Sequence, residues 1–187
     1  AALSAWHLYE NKLRTANNAK DQMKGSYLGP AFSNDEVELR LKQLGAAYVR
    51  LAEKDLFTRV AEELAAGKVV GWFQGRMEFG PRSLGGRSIL GDARNTKMQS
   101  VMNLKIKYRE SFRPFAPSVL RERVNSYFQM DCDSPYMLLV APVQEKRRLP
   151  FNSSEKGLWG IDLLNVLRSD IPAVTHIDYS ARIQTVH

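Results

Sequence analysis

The sequence predicts an α/β fold, with α+β as the alternative, and three observations carry that reading. Segments with helical hydrophobic period alternate irregularly with short β-branched and aromatic runs. No internal repeat is visible, and the irregular mixing disfavours a bundle or a sandwich. Hydrophobic residues make up 44% and charged residues 25% of 187 residues, ordinary composition for one folded domain with a short appendage.

The elements follow in order. Residues 1–16 read as a helix with Ala2, Trp6, Tyr9 and Leu13 on one side, and the polar 17–26 has linker composition. Ser33 and Glu36 form a capping box for a helix carrying Val37, Leu41 and Leu44 inward. "AAYVRLA" (46–52) reads as a short strand. Asp55 is the expected cap of the next helix, with Phe57, Val60, Ala61 and Leu64 inward and Gly67 as its stop. "KVVGWF" (68–73) and "SIL" (88–90) read as strands. Asn95 is the expected cap of a helix over 96–110, with Met98, Val101, Met102 and Ile106 at helical spacing, methionines that fit core filling. The two prolines of "FRPFAPSVL" predict a loop and then a strand. "VNSYF" reads as helical, "YMLLVAPV" (136–143) as a strand, 144–157 as a polar excursion and "AVTHID" (173–178) as a last strand.

No run of eighteen apolar residues and no basic-then-apolar leader occurs, so neither a membrane span nor secretion is expected. A single cysteine, Cys132, fits a reducing compartment and a cytoplasmic location. Its two aspartate neighbours disfavour the thiolate, which argues against a nucleophile. Because the chain opens on Ala1 and stops just after a strand-like run, we read it as a piece of a longer protein. The formal net charge is +7, and its placement is more informative than its size. Residues 68–123 hold twelve Lys/Arg against four Asp/Glu, while the rest of the chain holds fifteen against sixteen. One surface therefore concentrates anions.

The centre of that segment is "GRMEFGPRSLGGRSILGDAR" (75–94), with four arginines and five glycines. It is neither of the standard nucleotide loops. Gly80 and Gly85 have Walker spacing, but Gly86 and Arg87 stand where Lys and Ser/Thr are required, and no G-x-G-x-x-G exists. A nucleic-acid surface would exploit the nearby Phe79, Tyr108, Phe112 and Phe115, yet Glu78, Asp92 and Glu110 would repel a continuous phosphate backbone. A pocket for small phosphorylated ligands fits better. Arg76, Arg82, Arg87 and Arg94 offer forked donors, and Gly80, Gly85 and Gly86 free backbone N–H groups. "NLKIKYRESFRPF" adds a second basic cluster, in which a persisting helix puts Lys105 and Arg109 on one face and Lys107 elsewhere. Internal ion pairing could absorb individual arginines, but the acids are too few to absorb them all.

At these residues a family resemblance becomes specific. "GRMEFGPRSLGGRSILGDAR…MNLKIKYRESFRPFAPSVL" resembles the signature of the O-carbamoyltransferases of nodulation-factor and antibiotic biosynthesis, in their C-terminal, YrdC-like domain. "GSYLGPAFSNDEV" and "PAVTHIDYSARIQTV" resemble flanking parts of that domain in the same order. The resemblance implies a YrdC-like domain over 25–187, truncated at its end, with a mixed twisted sheet flanked by helices. Residues 1–24 would be the closing helix and linker of an absent upstream domain of actin/Hsp70-like fold.

It also implies a chemistry: carbamoyl phosphate and ATP yield carbamoyl-adenylate, phosphate and pyrophosphate, and the upstream domain passes the carbamoyl group to an alcohol. Carried onto this sequence, Arg76, Arg82, Arg109, Arg113 and Lys105 serve the chemistry. Arg87, Ser88, Gly80, Gly85, Asn103, Lys107, His176 and Arg182 bind substrate or nucleotide. ATP is a co-substrate with Mg²⁺. No metal ligands are assigned in this chain, iron or another metal belonging only to the upstream domain. The implied partners are carbamoyl phosphate, ATP and that domain, with no membrane and no nucleic acid. An RNA-binding module using the same basic surface is the alternative, and a steep loss of affinity with salt would mark it. The family pattern has Ala at Ser83, Asn at Gly86 and Gly at Tyr179, and a later "NTSFN"-like motif that this chain lacks. The fragment alone is therefore not expected to complete a transfer.

Overall fold

The computed structural model describes residues 1–15, 21, 23–150, 152, 155 and 157–187. It is a mixed α/β architecture of two small sheets with helices beside them. The first sheet is a hairpin. Strands β1 (Val70–Phe73) and β2 (Arg87–Leu90) pair antiparallel with Val70 opposite Leu90 and Phe73 opposite Arg87. The Gly/Arg segment is the long connection between them. The second sheet has the order β3 (Ser118–Leu120), β5 (Ser180–Val186), β4 (Leu139–Pro142). The central β5 runs parallel to β3 and antiparallel to β4.

Burial explains the second sheet. Alternate residues Ala181 and Ile183 of β5 point into a cluster with Val119, Val124, Phe128, Ala141, Val143, Ile171 and Val174. Helix α5 (Val124–Tyr127) closes one side of this core. A smaller cluster of Met98, Met102 and Ala173 sits beside it, with Phe115 packed against both. Gly91 is required there: a Cβ at that position would lie 2.7 Å from the Met98 sulfur and 2.9 Å from the Met102 sulfur. The two sheets are tied through polar bonds. The Gln184 side-chain amide donates to the Leu84 carbonyl at 2.8 Å, and the Ala173 N–H to the Ala93 carbonyl at 3.1 Å.

Several sequence expectations change in three dimensions. The first helix ends early: α1 (Ala2–Ser4) continues as a wider turn over Ala5–Tyr9 and stops before Asn11, whose φ is 49°. Trp6, Tyr9 and Leu13 are exposed, and the expected end at 16 and half of the 17–26 linker (17–20 and 22) lie outside the described residues. The Ser33–Glu36 capping box opens α2 (Asn34–Gln43), but Val37 and Leu44 are exposed rather than inward. Residues 46–52 form no strand, since no neighbouring strand is there to pair with them. Tyr48 and Arg50 instead bond to Glu38. Helix α3 (Glu53–Ala65) is capped by Ala52, three residues before the expected cap Asp55, leaving Glu53 and Asp55 at the positive end of the helix dipole. On its face Ala61 is exposed, while Phe57, itself half exposed, stacks on Trp72. Gly67 stops the helix with φ 78°.

The 96–110 helix also differs. It comprises α4 (Met98–Val101), started by Lys97 rather than Asn95, and a wider turn over Met102–Ile106. It ends there because Tyr108 adopts φ 46°. Arg109 therefore leaves the helix, and the expected Lys105–Arg109 face does not form. Strand 136–143 shortens to β4, since Met137 turns at φ 54°. "AVTHID" is not a strand: Pro172 starts a tight helical turn over Pro172–Val174, and the Thr175 hydroxyl donates back to the Ile171 carbonyl. The last strand is β5. Part of the polar excursion (151, 153, 154 and 156) lies outside the described residues. Among the described residues, no helix is long and apolar enough to cross a membrane.

Candidate functional site

The Gly/Arg loop binds an anion already, and the anion is its own Glu78. One carboxylate oxygen accepts N–H bonds from Leu84 at 2.7 Å, Gly86 at 2.8 Å and Arg87 at 3.3 Å. Burial pushes this carboxyl up, but the amide bonds outweigh it and leave it below the ordinary glutamate range. The Gly85 N–H goes to the Ser88 hydroxyl at 3.1 Å. Gly86 has no room for a side chain, because a Cβ would meet the Arg76 carbonyl at 2.7 Å and the Glu78 carboxylate at 3.1 Å. The arginines of this loop divide by partner. Arg87 donates to the carbonyls of Gln74, Gly75 and Gly86 and stacks on Phe73, and Arg94 is ion-paired with Asp92 at 2.8 Å. Among the described residues, the Arg76 side chain reaches only the Gly29 carbonyl, at 3.4 Å. Arg82 makes no side-chain hydrogen bond or ion pair with a described residue, and its Nε is buried without a partner.

Arg82 lies close enough to Arg182 that, after burial, it is the second cause holding the Arg182 guanidinium below its ordinary range. Neither makes an ion pair with a described residue. Arg182 belongs to a cleft of about 450 Å³ whose walls include Arg109, Arg113, Phe115, His176, Ser180 and Arg182. The cleft lies between the proline-bound segment 109–116 and the start of β5. Arg109 is positioned by fully buried Asn103: the Arg109 Nε donates to the Asn103 side-chain oxygen Oδ1 at 2.6 Å. The Asn103 amide in turn donates to the Ser111 carbonyl at 3.0 Å and the Arg113 carbonyl at 2.8 Å. Arg109 also lies over the Phe115 ring at 4.8 Å, and Lys107 over it at 5.9 Å. Burial and the nearby Arg113 both depress the Arg109 guanidinium. Arg113 is half exposed and pairs with Glu110 at 2.8 Å.

Of the residues singled out by sequence, Arg109, Arg113, His176 and Arg182 meet in the cleft, Arg82 adjoins it and Asn103 braces it. Gly80, Gly85, Ser88, Arg76 and Arg87 belong to the loop described above, and Lys105 is exposed on the turn after α4. Two residues at the site escaped sequence reasoning. Ser180 lines the cleft, and Asp178 holds both Ser180 and His176. The signal was a compact H-x-D-x-S turn, in which a short acidic side chain bonds its own backbone two residues on. Behind the wall, Arg168 is buried and ion-pairs with no described acid. It donates to the carbonyls of Leu163 and, at 3.3 Å, Thr175, and burial depresses its guanidinium. The described residues contain no group of three or more His, Cys, Asp or Glu able to hold a metal ion.

Comparison with known proteins bears on this arrangement. The family model for the carbamoyltransferase C-terminus matches residues 61–187. An uncharacterized protein of Synechocystis sp. is 62% identical over 189 residues, covering 100% of this chain and 31% of the relative. Nodulation protein NolNO of Sinorhizobium fredii is 39% identical over 190 residues, covering 99% of this chain and 25% of the relative. A 3'-hydroxymethylcephem-O-carbamoyltransferase of Streptomyces clavuligerus is 38% identical over 127 residues, covering 68% of this chain and 20% of the relative. The chain thus spans a third or less of the length of these relatives.

Proposed function

Since the chain belongs to the carbamoyltransferase family, as its C-terminal part, we propose that it carries the carbamoyl-activation site of an O-carbamoyltransferase, in a YrdC-like domain. The observation that carries the reading is the cleft. Arg109, Arg113 and Arg182 line it and Arg82 stands beside it, with Glu110 the only acid that ion-pairs with any of the four among the described residues. Guanidiniums brought this close without matching acids repel one another, and a bound polyanion relieves the repulsion.

The reaction balances as follows. Water cleaves carbamoyl phosphate to carbamate and phosphate. A carbamate oxygen then attacks the α-phosphorus of ATP, the bond to the β-phosphate oxygen breaks, and pyrophosphate leaves with the charge. In this reading Arg109, held by Asn103 and Phe115, and Arg182 stabilise the charge that develops on the departing phosphates, as preorganised donors. Arg82 and Arg113 complete the cradle. Magnesium would come with the nucleotide phosphates, because the described residues build no cage for it, and no step of the proposal runs through a metal. Transfer to the alcohol is assigned to the remainder of the longer polypeptide.

The test is an exchange assay on the intact protein. Labelled pyrophosphate should enter ATP only when carbamoyl phosphate is supplied, and phosphate should appear in step. Exchange that ignores carbamoyl phosphate would sink the reading.

A further inference from the structure

The polar side chains that line the cleft are arginines, which can only donate hydrogen bonds, with one exception. Arginine has five N–H donors and no acceptor. The exception is the turn from His176 to Ser180, closed by the His176 N–H to the Ser180 carbonyl at 2.9 Å and the Tyr179 N–H to the His176 carbonyl at 3.0 Å. Tyr179 sits in it at φ 62°, the left-handed region. Inside the turn a single carboxylate oxygen of Asp178 receives three hydrogens. They come from the Ser180 N–H at 3.0 Å, the Ser180 hydroxyl at 2.6 Å and His176 Nδ1 at 3.1 Å. Those bonds, the Ser180 hydroxyl first, hold the Asp178 carboxyl down to about 2, so it is ionised and accepts only.

The consequence for the cleft is chemical. A carboxylate on Nδ1 requires the hydrogen there, so the neutral ring carries a lone pair on Nε2. The Ser180 hydroxyl has spent its hydrogen on Asp178, so it too meets the cleft through lone pairs. His176 and Ser180 both line the cleft, while Asp178 does not. The wall is held from behind as well: the Ser169 and Thr175 hydroxyls lie 2.6 Å apart, and Arg168 holds the Thr175 carbonyl.

We propose that Asp178 is a positioning residue that turns His176 Nε2 and Ser180 Oγ into a pair of acceptors, and that this pair binds the –NH₂ of the carbamoyl group while the arginines bind the phosphate. The inference rests on the proposed activation function and goes beyond it, since it names what reads the carbamoyl end. An acyl phosphate with a methyl in place of the amide leaves both acceptors unpaired in the cleft. Loss of that pairing disfavours it by about tenfold or more.

Two measurements on the intact protein test this. The first is ¹⁵N NMR of the imidazoles at about pH 8, above the ordinary histidine range, with the His176 signal assigned by its loss in His176→Phe. The wild type should show the Nδ1–H tautomer, and Asp178→Ala should return it to the Nε2–H form that free histidine prefers. The second is competition between carbamoyl phosphate and acetyl phosphate in the exchange assay. The wild type should prefer carbamoyl phosphate by about tenfold or more, and Asp178→Ala and His176→Phe should reduce the preference to about twofold. Ser180→Ala, which leaves the carboxylate on His176, should fall between. Inorganic phosphate affinity, which the arginines set, should stay within about twofold in all three and shows that the variants are folded. An Nε2–H tautomer in the wild type, or an unchanged preference in a folded Asp178→Ala protein, overturns the amide site while leaving the activation function standing. No use of carbamoyl phosphate by the wild type overturns the function beneath it.

Discussion

The guanidinium of Arg87 lies 3.4 Å from the ring centre of Phe73, directly across the antiparallel ladder from it. From there its donors reach the carbonyls of Gln74, Gly75 and Gly86. This one side chain closes the long β1–β2 connection, and its geometry separates loop structure from ligand binding.

Arg87→Ala should therefore cost about 2 kcal/mol of stability, from the stacking and the carbonyl bonds together. A thermal melt reads the loss directly. Phosphate affinity at the cleft should change by less than about twofold, measured by calorimetry. A variant with an unchanged melting temperature and lost phosphate binding would return Arg87 to the ligand site.

Arg182→Ala should lower carbamoyl-phosphate-dependent ATP turnover by about a hundredfold, the usual effect of losing one transition-state donor. Arg113→Lys should do the same despite keeping its charge, because an ammonium has no fork. Arg59→Ala is the control. Arg59 is an exposed partner of Glu63 on α3, and such surface pairs contribute at most about 1 kcal/mol. Full turnover by a folded Arg113→Lys enzyme would leave Arg113 as the structural partner of Glu110.

The Asp178 turn carries a pH signature. Its carboxyl is held at about 2, below the ordinary 3.8, by the Ser180 hydroxyl first, then the Ser180 N–H and His176. A depressed acid stabilises the fold above its unfolded value, and that contribution disappears as pH falls through the folded value. The turn should accordingly loosen between about pH 4 and about pH 2. Carboxyl ¹³C titration should show the low midpoint, and Ser180→Ala should raise it. An ordinary midpoint in the wild type would mean that the three bonds are not made in solution.

How much of this was legible beforehand depended on range. The Ser33–Glu36 capping box, the β1 and β2 strands, Gly67 as a helix stop and the methionine core of α4 were read from neighbouring residues, and their causes are local. The same holds for the +8 excess over 68–123, which is a count of neighbouring charges. What 46–52 and 173–178 would do was not legible, since a strand requires a partner and the ladder beside β5 was taken elsewhere.

The sequence by itself determined the family signature, the basic segment and the short-range caps and turns, because each depends on residues a few positions apart. Only the tertiary structure decided which arginines face the cleft and which cap carbonyls. That sorting follows from contacts such as Gln184 on the Leu84 carbonyl, a hundred residues apart. A guanidinium is the same donor wherever it stands in the chain. Its role is fixed by the acceptors that folding brings to it, as for Arg87, whose donors reach the Gln74 and Gly75 carbonyls only once the β1–β2 connection closes.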